Sequence, residues 1–277
     1  MAILLEGKKF KKELLEELKE KRKKIKNIKL VNIYVEKRAD LEIYIKEQKK
    51  LSQILEVDFI EMNLKREEEI IQKIKVLNSD PQITGIFVQH PLPKEFNYFK
   101  IIEVISPLKD VEGITPQNLG QIFLGKPFLI PPPAFAAYFL IKSTKVDLKG
   151  KQAVIIGHSE IIGKPLAHLL LNELCTVSIC HIATFNSGKL FDYTKVADIL
   201  CVGVGKPSLI KASHIKEGSI IIDLGVNKVQ DKIIGDVEFE SVIKKASFLT
   251  PVPGGVGPLT SVFLFKNLFK LAELNGV

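Results

Sequence analysis

"KQAVIIGHSEIIGKPLAHLLL", residues 151–171, joins a short apolar run to a second segment with helical character. Ala153, Val154, Ile155 and Ile156 form a buried strand of the kind found in parallel sheets, and Gly157 ends it. The following "KPLAHLLLNEL" (164–174) reads as a helix, with Pro165 comfortable in its first turn. Gly157 permits a tight turn, and Gly163 permits close packing of the helix on the strand. A helix start presented in this way offers free N–H groups and a positive dipole end, which suits a phosphate. The spacing is not G-x-G-x-x-G, and a tight strand-to-helix turn without a ligand would leave the same trace.

Downstream, "CTVSICH" (175–181), "ADILCVGVG" (197–205) and "GSIIIDLGVN" (218–227) are three further strands. Two of them end in Gly-bearing turns, "VGVGKP" (202–207) and "DLGVN" (223–227). Ligands of open parallel sheets bind beyond the carboxyl ends of the strands. Glycine turns at several of those ends therefore predict a dinucleotide site. Upstream, "KLVNIYVE" (29–36), "VDFIEMNL" (57–64) and "TGIFVQH" (84–90) alternate with helical stretches near 40–55 and at "REEEIIQKIKVLN" (66–78). That rhythm implies βαβ units and another parallel sheet. A junction falls near Pro131–Pro133. The closing stretch, 258–277, is amphipathic, with Val262, Phe265, Leu268, Phe269 and Ala272 at helical spacing.

The 277 residues leave room for two modest domains, and 46% of them are hydrophobic, enough for a sizeable core. The net charge is +8, and nearly all of the excess lies in residues 1–50. Solvated helix faces account for such a run, as would a basic rim that attracts an acidic small molecule. Few aromatics accompany the lysines and no nucleic-acid motif is present, so no nucleic-acid partner is expected. No apolar run has the length of a membrane span, and "MAILLEGKKFKK" does not read as a secretory signal. Cys175, Cys180 and Cys201 lack metal-type spacing and read as reduced, buried thiols of a cytoplasmic protein. The five histidines are scattered, and no metal is expected.

"TPVPGGVGPLT" (250–260) packs three prolines and three glycines into eleven residues. Gly254 and Gly255 let backbone approach a ligand closely, and the prolines stiffen the loop. At this point the chain resembles the bifunctional methylenetetrahydrofolate dehydrogenase/methenyltetrahydrofolate cyclohydrolase family, nearly end to end. The loop is almost the signature of that family, which ends in Met-Thr where Leu259-Thr260 stand here. "GHSEIIGKP" (157–165) matches G-R-S-x-I-V-G-x-P, and "VQHPLP" (88–93) matches V-Q-L-P-L-P. "PLKDVEG" (107–113) matches P-x-K-D-V-D-G, and "GDVEFE" (235–240) matches as well.

The resemblance implies an α/β fold of two domains flanking a cleft, the second a Rossmann-like parallel sheet for the nicotinamide nucleotide. It implies a folate-binding catalytic domain at 1–133 plus 259–277 and an NAD(P)-binding domain at 134–258. By the same resemblance Tyr44 stacks on the folate, Glu112 grips the pterin, Gln89 bonds the residue at the family's lysine position, and that position is Gln48. Pro253, Gly254 and Gly255 join Tyr44, Gln89 and Glu112 around the substrate, a tetrahydrofolate derivative. The nucleotide falls to Gly157, His158, Ser159, Ile161 and Gly163 of the first turn, and to Ile182, Val204, Gly205 and Val226 beyond it. A homodimer is implied, and no membrane partner.

Several positions depart from the pattern. An amide at Gln48 does not titrate near neutrality, whereas cyclohydrolysis shuttles protons. Hydride transfer needs positioning above all. The dehydrogenase is therefore expected, with the cyclohydrolase weak or lost. Lys46 and Lys49 fall away from the face of Tyr44 and are no substitute. Glu112 is one methylene longer than aspartate, and His90, in place of leucine, is the candidate compensating base. "NIYVEKRADLEIY" (32–44) lacks the family's small loop before the helix. Two alternatives stay open, a catalytically reduced folate- and nucleotide-binding protein and a dehydrogenase of a modified pterin. His158 stands at the arginine used on the 2′-phosphate of NADP, and Ile182 at a second contact. No acid follows "CTVSICH" to claim a free ribose hydroxyl. NADP is the expected cofactor, with NAD open.

Overall fold

The computed structural model describes residues 1–36, 39–230 and 232–276. The expected missing loop before the second helix runs through residues 37 and 38, outside the described residues. In chain order the strands are β1 (Ile3–Leu4), β2 (Lys29–Tyr34), β3 (Asp58–Asn63), β4 (Gly85–Val88), β5 (Gln152–Ile156) and β6 (Thr176–Cys180). They continue as β7 (Ile199–Val202), β8 (Ile220–Asp223), β9 (Asn227–Val229), β10 (Lys232–Ile234) and β11 (Phe248–Leu249).

The chain divides into two compact units. One comprises Glu13–Gln121, Pro127–Ile130 and Ser261–Val277. Its sheet has the order β3-β2-β4, all parallel, with Val31 registered between Ile60 and Ile86. Helix Glu67–Ser79 follows β3 and buries Ile70, Ile71, Ile74 and Leu77, a stripe at helical spacing. That stripe packs on Val31, Ile33, Ile86 and Val88 of the sheet. The helix of Gly257–Leu274 passes into this unit at Ser261. Val262, Phe265, Leu268, Phe269 and Ala272 are fully buried, as their spacing predicts. Asn267 on the same helix donates to the carbonyls of Val111 and Ile130, at 2.9 Å each. These bonds fix the loop that carries Glu112.

The other unit comprises Met1–Lys12, Ile122–Lys126 and Pro131–Thr260. Its six-stranded parallel sheet runs β1-β11-β8-β7-β5-β6. The four strands read from sequence, β5 to β8, are neighbours in it, with β6 at one edge. β1 and β11 have two residues each, too short to show a period, and residues 1–12 join this unit because Ile3 and Leu4 pair beside Phe248 and Leu249. β9 and β10 form a separate hairpin. After β6 the chain returns to the opposite side of β5, so the strand order reverses between β5 and β7. That switch point is where parallel sheets open a crevice for ligands. The three cysteines are free and buried, and burial pushes each thiol up, as inert core residues require.

Gly85 on β4 is packed without slack. A Cβ there would lie 2.2 Å from Val111 Cγ1 and 2.7 Å from Leu268 Cδ1. Gly85→Ala is expected to cost about 1–3 kcal/mol through overpacking, measured as a lower urea midpoint at unchanged slope.

Candidate active site

The turn after β5 is compressed. Gly157 has φ +119°, and a Cβ on it would lie 2.7 Å from the carbonyl oxygen of Gly203 at the end of β7. A Cβ on Gly163 would lie 2.0 Å from the carbonyl oxygen of Gly157. Glycine is required at both positions, and the helix Gly163–Asn172 starts against the strand end as a result. Beside this turn lies a cavity of about 530 Å³, a size usual for cofactor sites. Gly157, His158, Ser159, Ile182 and Val204 line it. Its lining also includes His181, Phe185 and Lys206, which the sequence reading passed over. Ile161 and Gly205 lie outside the lining, and Gly163 acts through packing.

Two buried carboxylates hold the other turns. Asp236 accepts from the backbone N–H groups of Val204 (2.7 Å) and Gly205 (2.9 Å) and from the Asn227 amide (2.8 Å). Asp223, at the end of β8, accepts from the N–H groups of Gly225 (2.9 Å), Asp236 (3.0 Å) and Val237 (2.9 Å). Burial pushes the Asp223 carboxyl up to about 6, against the pull of those three donors. Gly235 is required beside it, since a Cβ would lie 1.8 Å from Asp223 Oδ2. The signal in sequence is faint: each aspartate adjoins an apolar strand and a glycine, as many loop aspartates do.

A second cavity of the same unit, about 320 Å³, is lined by Pro253, Gly254, Gly255 and Val226. Gly254 has φ +118°. A Cβ on Gly255 would lie 2.7 Å from Thr250 Cβ, and one on Gly7 would lie 2.0 Å from the Gly255 carbonyl oxygen. The stiff loop is thus packed from below by the start of the first helix. Val226 belongs to this cavity and not to the first.

In the three-stranded unit, Tyr44, Gln48, Gln89 and Glu112 come together. Gln48 is fully buried, one turn beyond Tyr44 on the helix Ala39–Ile54. Its Oε1 accepts from Gln89 Nε2 at 2.9 Å and from Asn32 Nδ2 at 3.5 Å. Gln48 Nε2 and Asn32 Oδ1 are buried without a hydrogen-bond partner, so the cluster has a spare donor and a spare acceptor. Asn32, interior to β2, carries no motif that sequence reading could seize on. The half-buried Tyr44 places its hydroxyl beside the Gln48 amide and Ser261 and its ring 6.2 Å from that of Phe87. Burial, then the Glu112 carboxylate, raise the phenol, so it stays protonated at neutral pH.

His90 Nε2 lies 3.2 Å from Glu112 Oε2. Burial pushes the Glu112 carboxyl up, and the charge and bond of His90 pull it back. Lys46 and Lys49 are exposed, and Lys49 pairs with Glu61 on β3. Neither ammonium reaches the amide cluster. Among the described residues, no group of three or more His, Cys, Asp or Glu could hold a metal ion.

A parallel sheet with cut-back turns at its switch point, beside a cavity of cofactor size, defines a dinucleotide-binding α/β protein. Residues 5–112 match the family model for the tetrahydrofolate dehydrogenase/cyclohydrolase catalytic domain. Residues 131–276 match that for its NAD(P)-binding domain. The Bifunctional protein FolD of Nitratiruptor sp. is 49% identical over 207 residues, 75% of this chain and 72% of the relative. The crystal structure of the bifunctional FolD enzyme from Campylobacter jejuni is 38% identical, with a TM-score of 0.93 over 99% of each chain. The Trypanosoma brucei methylenetetrahydrofolate dehydrogenase-cyclohydrolase, complexed with NADP and an inhibitor, is 30% identical, with a TM-score of 0.92 over 99% of this chain and 98% of that one. The chain belongs to the tetrahydrofolate dehydrogenase/cyclohydrolase family. The alternatives of a reduced binding protein and a modified-pterin dehydrogenase gain no support from these relatives.

Asp236→Ala leaves two turn N–H groups without their acceptor. It is expected to cost about 1–3 kcal/mol and to weaken nucleotide binding, as read by thermal denaturation with and without nucleotide. Lys49→Ala removes only a solvent-facing pair. It should change stability by less than about 1 kcal/mol and leave steady-state turnover unaltered.

Proposed function

We propose that this chain oxidises 5,10-methylenetetrahydrofolate to the 5,10-methenyl form by hydride transfer to NADP, and that its methenyl cyclohydrolase step is weak. Family membership supports the first part. The burial of Gln48 in an amide cluster, with Lys46 and Lys49 exposed outside it, carries the second.

The nucleotide unit fits its cofactor: Gly157 and Gly163 let strand end and helix start close on each other, and the cavity beside them has the volume required. NADP rather than NAD is supported by the absence of an acidic residue after β6 and by the cofactor of the Trypanosoma brucei relative. Bound nicotinamide supplies the hydride acceptor. The remaining work is positional. Tyr44 offers a ring face and a protonated hydroxyl to the pterin. Glu112, steadied by His90, offers a carboxylate to ring N–H donors. The unpartnered Gln48 Nε2 and Asn32 Oδ1 can orient a carbonyl or a water. None of these groups needs to exchange a proton while the hydride crosses.

Hydrolysis of the methenyl bridge is different, because water must lose protons as it adds and the ring must gain one as it opens. The Gln48 amide can hold that water and cannot accept its proton. With the family reading go two further expectations, a homodimer and a cytoplasmic location, the first open to gel filtration.

Oxidation is followed by the absorbance of the methenyl product with NADP, and cyclohydrolysis by its decay. The unaltered chain should form the methenyl compound and consume it slowly. Gln48→Lys should speed the decay by on the order of a hundredfold, the usual size of a general acid–base contribution. Rapid decay with the unaltered chain would overturn the proposal's second part, and no oxidation with either nucleotide its first.

A further inference from the structure

Val31 and Ile33 of β2 and Ile86 and Val88 of β4 pack with the stripe of the helix Glu67–Ser79. Alternate residues of a strand face the other way. Register puts Asn32 on that opposite face, between Glu61 of β3 and Phe87 of β4. Each of the three meets one residue of the helix Ala39–Ile54. The Phe87 ring lies 6.2 Å from that of Tyr44, the Asn32 amide meets that of Gln48, and Glu61 pairs with Lys49. What stands at position 32 is thus matched to what stands at position 48.

Asn32 is out of place as a core residue. It is fully buried, and Leu30, Val31 and Ile33 around it in β2 are apolar and buried too. Among the described residues its side chain makes one hydrogen bond, from Nδ2 to Gln48 Oε1, and at 3.5 Å that bond is long. Its Oδ1 accepts none. One long bond does not offset the burial of an amide, so packing does not account for this residue. Its effect on Gln48 does. Gln89 Nε2 (2.9 Å) and Asn32 Nδ2 both donate to Gln48 Oε1. The Gln48 amide cannot turn over without setting N–H against N–H, unless its neighbours turn as well. Its Nε2 is left facing away from both donors, buried and unpartnered, in an amide that the Tyr44 hydroxyl adjoins.

We propose that Asn32 is a positioning residue for the dehydrogenase step: with Gln89 it locks the Gln48 amide oxygen inward, so that position 48 presents a neutral, one-way hydrogen-bond donor to the folate. This rests on the folate reading above and adds to it the residue that orients the donor. A reduced pterin carries acceptors for that donor in its ring carbonyl and ring nitrogens. An unlocked Gln48 would turn its own oxygen toward the substrate part of the time, and two acceptors facing each other repel. The side chain of Asn32 acts through Gln48 and need not touch the substrate.

Steady-state kinetics of 5,10-methylenetetrahydrofolate oxidation with NADP, together with thermal denaturation of the ligand-free chain, test this. Asn32→Leu keeps the branched shape and removes the donor. It is expected to lower kcat/KM for the folate about fivefold, the fold-change of one net hydrogen bond, with KM for NADP unchanged and the denaturation midpoint unchanged or raised. A merely structural role for Asn32 predicts the reverse, a lower midpoint with the kinetic constants unaltered. In a Gln48→Met background no amide remains to orient, so adding Asn32→Leu should lower kcat/KM little further. Asn32→Ser is smaller, and its hydroxyl is too short to reach Gln48. It should show the same fivefold loss, and it decides the matter if Asn32→Leu does not fold. Full folate kcat/KM in either single variant, or an equal loss from Asn32→Leu in the Gln48→Met background, overturns the proposal and leaves the oxidation reading standing. No oxidation by the unaltered chain overturns both.

Discussion

The nucleotide unit depends on one close approach, the start of a helix lying against the carbonyl of Gly157 with no room for a methyl group at Gly163. Everything at the carboxyl edge of that sheet follows from it. Because the helix begins so near the strand end, its first turn closes on the loop itself, Lys164 N–H donating to the Ser159 carbonyl at 3.1 Å and Leu166 N–H to that of Ile162 at 2.9 Å. Because Gly157 also abuts Gly203, the turns after β5 and β7 share one wall. The carboxylates of Asp223 and Asp236 finish the task from the far side by binding the backbone of the neighbouring turns. A rim made of main chain is thereby fixed by contacts that leave it narrow, and His158, His181 and Lys206 are among the side chains that line the cavity beside it.

The three-stranded unit solves a different problem. Its polar residues are held by one another and by the last helix. Asn267 pins the loop of Glu112, Gln89 reaches Gln48 across the end of β4, and Tyr44 stands above. A neutral amide buried in such a place bears on the chemistry more than on the architecture. Glutamine is neutral, so its burial demands no counter-ion, and two neighbouring amides suffice to seat its oxygen. The same neutrality leaves Gln48 itself unable to trade a proton with water, and the titratable groups nearby are Glu112 and His90.

Much of this was legible in the sequence, where periodicity or local chemistry leaves a strong trace. The stripe from Val262 to Ala272 was readable because an amphipathic helix of that length repeats its pattern several times. The turn at Gly157 and the loop at Gly254 and Gly255 were readable because glycine suits the positive φ of Gly157 and Gly254 and the close packing at Gly255. β1 and β11 were not, because two residues contain no period. Asp223 and Asp236 resembled any loop aspartates until their partners, main-chain N–H groups and the Asn227 amide, were in place. The approach of the His158 and His181 rings, 5.4 Å apart, depends on the register of β5 with β6, which no linear spacing reveals. The burial of Asn32 beside Gln48 depends likewise on how the second helix sits over β2.

The pairing of β1 with β11 has a consequence for how the protein is made. Residues 3 and 4 leave the ribosome long before the strand they dock beside, residues 248 and 249. In the interval between them, β1 is already outside but has nothing to bind. Until β11 forms beside β8, that side of the sheet presents unpaired backbone groups to any other nascent chain. The two apolar residues that cap it arrive early and act late, as a seal on an otherwise open hydrogen-bonding margin.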